Sequence, residues 1–131
     1  MSEPIDADVL DFAHRMFDLA RTGAADELAA NVDAGLPVNL TNDKGDTLLM
    51  LAAYHDHPPA VAALLARGAD PDRTNDRGQT ALGAAVFRRS GDSVRALLAA
   101  GADPAAGGPS ALEMARFFNL PEMLTLLERA R

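Results

Sequence analysis

The one histidine pair, His55 and His57 with Asp56 between them, is the first place where this chain could do chemistry, and that chemistry would be metal binding. Two histidines two apart give two donors, whereas a tetrahedral site needs further donors at suitable spacing. Cysteine is absent from all 131 residues, so no thiolate can complete such a site, and no disulfide or cysteine nucleophile can form. No metal is expected. A serine nucleophile would need a base and an orienting group, and none of Ser2, Ser90, Ser93 or Ser110 lies in a G-x-S-x-G context. Ser90-Gly91-Asp92 reads as a turn between helices, and Ser110 as a helix cap. Gly107-Gly108 lacks the following Lys-Ser/Thr and the preceding strand of a phosphate loop. Catalysis by paired carboxylates would require a deep pocket. No enzyme activity and no cofactor are expected.

The residues suited to recognition are better organised. Tyr54, Phe87 and Phe117 are spaced 33 and 30 residues apart, and Phe118 flanks the last of them. Half of the chain's six aromatics thus share one periodic position, with His55, Arg88, Arg89 and Arg116 beside them. Aromatic and arginine side chains are the types most enriched among binding hot spots. Stacked helices would set such a row about 10 Å apart. Two readings stand: an exposed anchor centred on Phe87-Arg88 and Phe117-Phe118, or a ladder packed between neighbouring helix pairs. A row with one edge buried and one face exposed combines them.

The elements that position this row follow from a repeat. The segment starting at Asn42, NDKGDTLLMLAAYHDHPPAVAALLARGADPDRT, aligns with NDRGQTALGAAVFRRSGDSVRALLAAGADPAAG, starting at Asn75, at a shift of 33 residues. Gly45 falls on Gly78, Thr47 on Thr80, Ala52 on Ala85, and Gly68-Ala69-Asp70 on Gly101-Ala102-Asp103. The frame extends upstream through Gly35 and Leu28, and downstream at a shift of 30 through Leu112 and Ala115. Four units result, two full and two degenerate, as expected where a terminal unit has only one neighbour. Each full unit reads as two short helices and a turn. Thr47 and Thr80 cap the first helix, and the small Ala52-Ala53 and Ala84-Ala85 allow close approach. Val61, Leu64 and Leu65 form the stripe of the second helix, with Pro58-Pro59 in its first turn. Gly68 and Gly101 end it in the left-handed conformation. Asn-Asp-Lys-Gly and Asn-Asp-Arg-Gly supply the turns.

The pattern resembles the ankyrin repeat over nearly the whole chain after residue 8. It is matched by Gly45, Thr47, Leu49, Ala52-Ala53, His57, Leu64-Leu65 and Gly68-Ala69-Asp70. Two departures stand out: Leu48 and Met50, then Ala81 and Gly83, replace the family's Pro-His pair, and Asp56 and Arg89 replace a glycine between the helices. A fainter resemblance is to the small stand-alone ankyrin proteins of bacteria. The resemblance implies an all-α ankyrin solenoid of four helix pairs with short turn fingers, in units of about 9–41, 42–74, 75–106 and 107–131, with a loosely ordered acidic segment at 1–8. A first helix is expected from about Asp8 to Arg21. The resemblance further implies binding through a concave face made of fingers and first helices. On this chain that face comprises Asp43, Lys44, Asp46, Asp76, Arg77 and Gln79, then the helix ends Arg21-Thr22, Tyr54-His55, Phe87-Arg88 and Phe117-Phe118. The last finger, from Asp103 to Ser110, is three residues shorter than its predecessor, which either opens access to Phe117 and Phe118 or simply ends the array.

Charge and composition narrow the partner. The net charge is −7, and residues 1–43 hold nine acids against Arg15 and Arg21, so the first third carries the whole excess. This is a solvated acidic face or one that orients a basic partner. A basic stripe of the kind nucleic acid requires is missing. The start has no basic and apolar leader, and no stretch reaches the eighteen or so apolar residues of a membrane span. The expected protein is a cytoplasmic module, monomeric with homodimer as the variant, that binds one compact protein partner as an adaptor or enzyme modulator. The alternative is an assembly protein self-associating through the aromatic row.

Overall fold

The computed structural model describes residues 7–130. Among them run eight helices: α1 Ala7–Thr22, α2 Ala25–Asp33, α3 Leu48–Tyr54, α4 Pro58–Ala66, α5 Ala81–Phe87, α6 Gly91–Ala99, α7 Ala111–Phe117 and α8 Pro121–Arg129. Of the acidic segment expected at 1–8, residues 1–6 lie outside the described residues, while Ala7 and Asp8 open α1.

Local chemistry sets the boundaries. Thr47 and Thr80 accept from the N–H of Met50 and Gly83 at 3.1 and 3.0 Å, capping α3 and α5. Ser110 and Glu113 form a reciprocal capping box at the start of α7. Ser90-Gly91-Asp92 is not a turn as expected. Ser90 caps α6, accepting from Ser93 N–H at 3.4 Å, and Gly91 and Asp92 are already helical. Pro58 opens α4 and Pro121 opens α8, where a missing N–H costs no helical hydrogen bond. Gly68 and Gly101 end the second helices at φ 87° and 92°. There the N–H groups of Ala69 and Ala102 reach back to the carbonyls of Leu64 and Leu97.

Within each pair the same bond closes the bend: Ala24 to Leu19 O, His57 to Ala52 O, Ser90 to Ala85 O, Leu120 to Ala115 O. The preceding residue must turn left-handed. In the first pair it is Gly23 (φ 79°), but afterwards it is Asp56, Arg89 and Asn119, at φ 61°, 56° and 53°. The missing glycines leave the turn geometry intact and put three ordinary residues into a region that costs each roughly 1–2 kcal/mol.

The pairs stack in two layers. The first helices α1, α3, α5 and α7 pack in series, the second helices α2, α4, α6 and α8 do the same, and each pair is joined face to face. Between the layers lies a core of Ala, Leu and Val, with Leu28, Leu49, Val61, Leu64, Leu82, Val94, Leu97 and Leu127 fully buried. Alanines at the contact (Ala20, Ala52, Ala60, Ala85, Ala115) are fully buried as well and let the helices approach closely. The fingers join the stack through backbone, Asp76 N–H donating to Lys44 O and Gly108 N–H to Gly78 O, each at 3.0 Å.

Candidate functional site

A groove of about 460 Å³ runs between the fingers and the C-terminal ends of the first helices. Its floor is made by the small or flexible side chains of α3, α5 and α7: Met50, Leu51, Gly83, Ala84 and Met114. Gly83 matters by its size, since a Cβ there would lie 3.0 Å from the Met114 terminal methyl. The finger side presents Lys44, Asp46, Arg77 and Gln79, and the helix-end side presents Arg21, Tyr54, His55 and Phe87. Pro109, from the short last finger, contributes the end of the groove, so that finger does more than end the array.

The aromatic row exists, with one substitution of rank. Tyr54 and Phe87 stack with ring centroids 6.2 Å apart and planes 1° from parallel, an offset arrangement. The third rung is Phe118 and not Phe117: it meets Phe87 edge-on at 6.4 Å, while Phe117 stands outside it, edge-on at 5.0 Å. The expected spacing of about 10 Å is the separation of helix axes; the rings lean towards one another and close part of it. The rungs remain open to solvent, with Tyr54 48%, Phe87 51% and Phe118 45% exposed, and Phe117 82%. A packed internal ladder is thereby excluded, and the combined reading holds: each ring covers part of its neighbour, by stacking or edge-on, and presents its remaining surface to solvent.

The fingers are built by two asparagines. Asn42 Oδ1 accepts from Lys44 and Asp46 N–H at 2.9 and 3.0 Å, and Asn75 Oδ1 accepts from Arg77 and Gln79 N–H at 3.0 and 2.9 Å. Asn75, 8% exposed, also donates through Nδ2 to Asp46 Oδ1 and Gln79 Oε1, both at 2.8 Å, tying one finger to the next. Asp46 and Gln79 line the groove but spend side-chain acceptors on this tie. Lys44 and Arg77, both exposed, form no ion pair among the described residues. Asp76 is exposed outside the lining, held by its backbone to Lys44.

Neither histidine is arranged for a metal. His57 donates through Nε2 to Arg21 O at 2.7 Å, tying the end of α1 to the next unit. Its ring lies so close to Gly23 that a Cβ there would come within 2.5 Å. His55 meets Tyr54 edge-on at 5.2 Å. Its pKa is lowered, first by burial and then by the positive charge of Arg21, His57 and Arg88. Among the described residues no group of three or more His, Cys, Asp or Glu could hold a metal ion.

A family model of ankyrin repeats, in three copies, matches residues 16–107. The chain belongs to the ankyrin-repeat family. The match runs from the second half of α1 through the third helix pair. Ankyrin repeats in general mediate protein–protein contacts and are typically non-enzymatic. A Pseudomonas aeruginosa protein named for its ankyrin repeats is 49% identical over 57 residues, a stretch that is 44% of this chain and 33% of that protein. This ankyrin chain thus spans about a third of the length of the relative it matches. No helix among the described residues is long and apolar enough to cross a membrane.

Lys44, Asp46, Tyr54, His55, Arg77, Gln79 and Phe87 are therefore gathered in one ankyrin groove, whereas Asp76, Arg88, Phe117 and Phe118 lie outside its lining. Met50, Gly83, Met114 and Asn75 belong to it without having been singled out. For Met50 and Gly83 the signal was in the departures from the family pattern, where they occupy its histidine position.

Proposed function

We propose that this protein binds another protein through the groove between fingers and first helices, acting as an adaptor or as a modulator of an enzyme. The observation that carries this reading is the half-exposed ladder of Tyr54, Phe87 and Phe118, whose first two rungs line that groove. Monomers rarely leave several large apolar side chains side by side in solvent without a use. A single compact partner buries about 800 Å² on each side, a scale that suits a face of four short units. The acidic balance speaks against nucleic acid, and the absence of cysteine suits the cytoplasm.

The test is quantitative affinity capture from a lysate, comparing wild type with Phe87→Ala/Arg88→Ala. Because both residues are exposed, the melting curve of the variant should stay within a few degrees of wild type. Loss of one captured protein from an equally stable variant supports the groove; the same captured set from both sinks it. Self-association is the second reading, favoured by the 82% exposure of Phe117 at the open end of the row. Sedimentation velocity separates the two: a concentration-dependent dimer abolished by Phe117→Ser would replace the partner by a second copy.

A further inference from the structure

We infer that Arg89 is a recognition residue, whose guanidinium takes a carboxylate of the bound protein at the mouth of the cleft between α6 and α8. This rests on the contact surface proposed above, and it carries that surface from the ladder over the third turn to the outer side of the stack.

The backbone leads to this residue. Each turn between paired helices places one residue in the left-handed region, and the four turns fill that place differently. The first uses Gly23, which adopts φ 79° freely. The second and fourth use Asp56 and Asn119, types whose short polar side chains tolerate the region. The third uses Arg89 at φ 56°. An arginine has no such local compensation, because its donors lie at the end of a long stem.

The fold gains nothing from this side chain. Backbone closes the turn, Arg89 N–H donating to Val86 O at 2.9 Å and Ser90 N–H to Ala85 O at 3.0 Å. Glycine would make both bonds with less strain. The guanidinium is exposed and forms no ion pair or cation–π contact among the described residues. A strained residue whose side chain serves nothing within the fold has its use outside it.

Its surroundings give that use a chemistry. Arg89 lines an open cleft of about 490 Å³ with Arg95 of α6 and with Glu122, Met123 and Leu126 of α8. Arg95 is already paired with Asp92 at 2.7 Å, and Glu122 on the far wall pairs with neither arginine. The turn itself, Phe87-Arg88-Arg89-Ser90, holds two cations and no carboxylate, whereas the second turn sets Asp56 between its histidines. A carboxylate matches the planar fork of the free guanidinium through two parallel hydrogen bonds. Phe87, the middle rung of the ladder, is two residues earlier and so at most about 7 Å along the chain. One partner therefore spans both.

The test uses the protein that wild type captures and Phe87→Ala/Arg88→Ala loses, purified and titrated by calorimetry against Arg89 variants. Arg89→Gly should raise the melting temperature of the free chain by roughly 2–4 °C. The same variant should bind that protein roughly tenfold more weakly. Gained stability with lost affinity is a combination that a merely structural role would not give. Arg89→Lys keeps the charge and should retain part of the affinity. Carbodiimide coupling joins an amine directly to an adjacent carboxylate. It should link the amine introduced by Arg89→Lys to one Asp or Glu of the bound protein, a product read by mass spectrometry and missing with wild type.

An unchanged or lower melting temperature for Arg89→Gly would overturn the strain behind the assignment. A stabilised variant with wild-type affinity would overturn the recognition role and leave the ladder standing. Lost affinity without a cross-link would overturn the carboxylate. If no captured protein depends on Phe87 and Arg88, the contact surface itself fails, and this role of Arg89 with it.

Discussion

Ser93 carries a hydroxyl into the fully buried part of α6, where its oxygen finds no hydrogen-bond partner. The equivalent residue one unit earlier is Ala60, also fully buried, so the fold already accommodates a methyl at that position. An unsatisfied buried hydroxyl costs about 1–3 kcal/mol, whereas removing it leaves almost no void. Ser93→Ala should therefore stabilise the protein by about 1 kcal/mol, raising the calorimetric melting temperature by roughly 4 °C. A lower melting temperature would mean that the hydroxyl has a partner and that this account of α6 is wrong. His57 shows the opposite case. This half-buried ring is satisfied as a donor to Arg21 O, and its fit over Gly23 explains why the first turn alone keeps a glycine.

At the scale of elements, the fingers are short hairpin turns that cannot stand alone. Their stability comes from the asparagine at the root of each, and the two asparagines are not equivalent. Asn42 organises its own finger, whereas Asn75 makes four side-chain hydrogen bonds and bridges two fingers. Asn75→Ala would orphan two backbone N–H groups and leave Asp46 without its shorter amide donor. It should cost about 2–4 kcal/mol in urea unfolding, more than Asn42→Ala. Equal costs for the two would show that the bridge contributes nothing beyond the local turn.

The whole molecule is a stack in which each pair touches only its neighbours. Stability in such an array is a sum of unit and interface terms, so the middle should open last. The first half of α1 extends beyond the seven-residue length of the other first helices, and Val9, Leu10 and Phe12 are exposed there. At the far end α8 covers α6 less extensively than α4 does. Amide hydrogen exchange, read by mass spectrometry, should be slowest across α3 to α6 and fastest in α8 and the start of α1. Uniform protection along the chain would indicate one cooperative unit instead.

Much of this architecture is legible in the residue order, because it depends on contacts within a few positions. Thr47 and Thr80 cap helices, Gly68 and Gly101 end them, and a shift of 33 residues repeats the unit, all through local geometry that short stretches of sequence can specify. Ser90 was misplaced for the same reason: a serine before glycine suits a turn as well as a cap, and only the packing of α6 on α4 decides. The candidate site depends on how one unit is rotated against the next. Periodicity aligned Phe117 with Phe87, yet Phe118 reaches Phe87, since side-chain direction across a unit boundary is set by that rotation. It also turned Asp46 towards Asn75, and it brought Met50, Gly83 and Met114 together in the groove floor. The order of residues thus determined the helices, their caps and the repeat, through interactions local to each unit. Tertiary structure alone decided the groove, because its walls come from units some thirty residues apart and exist only when stacked.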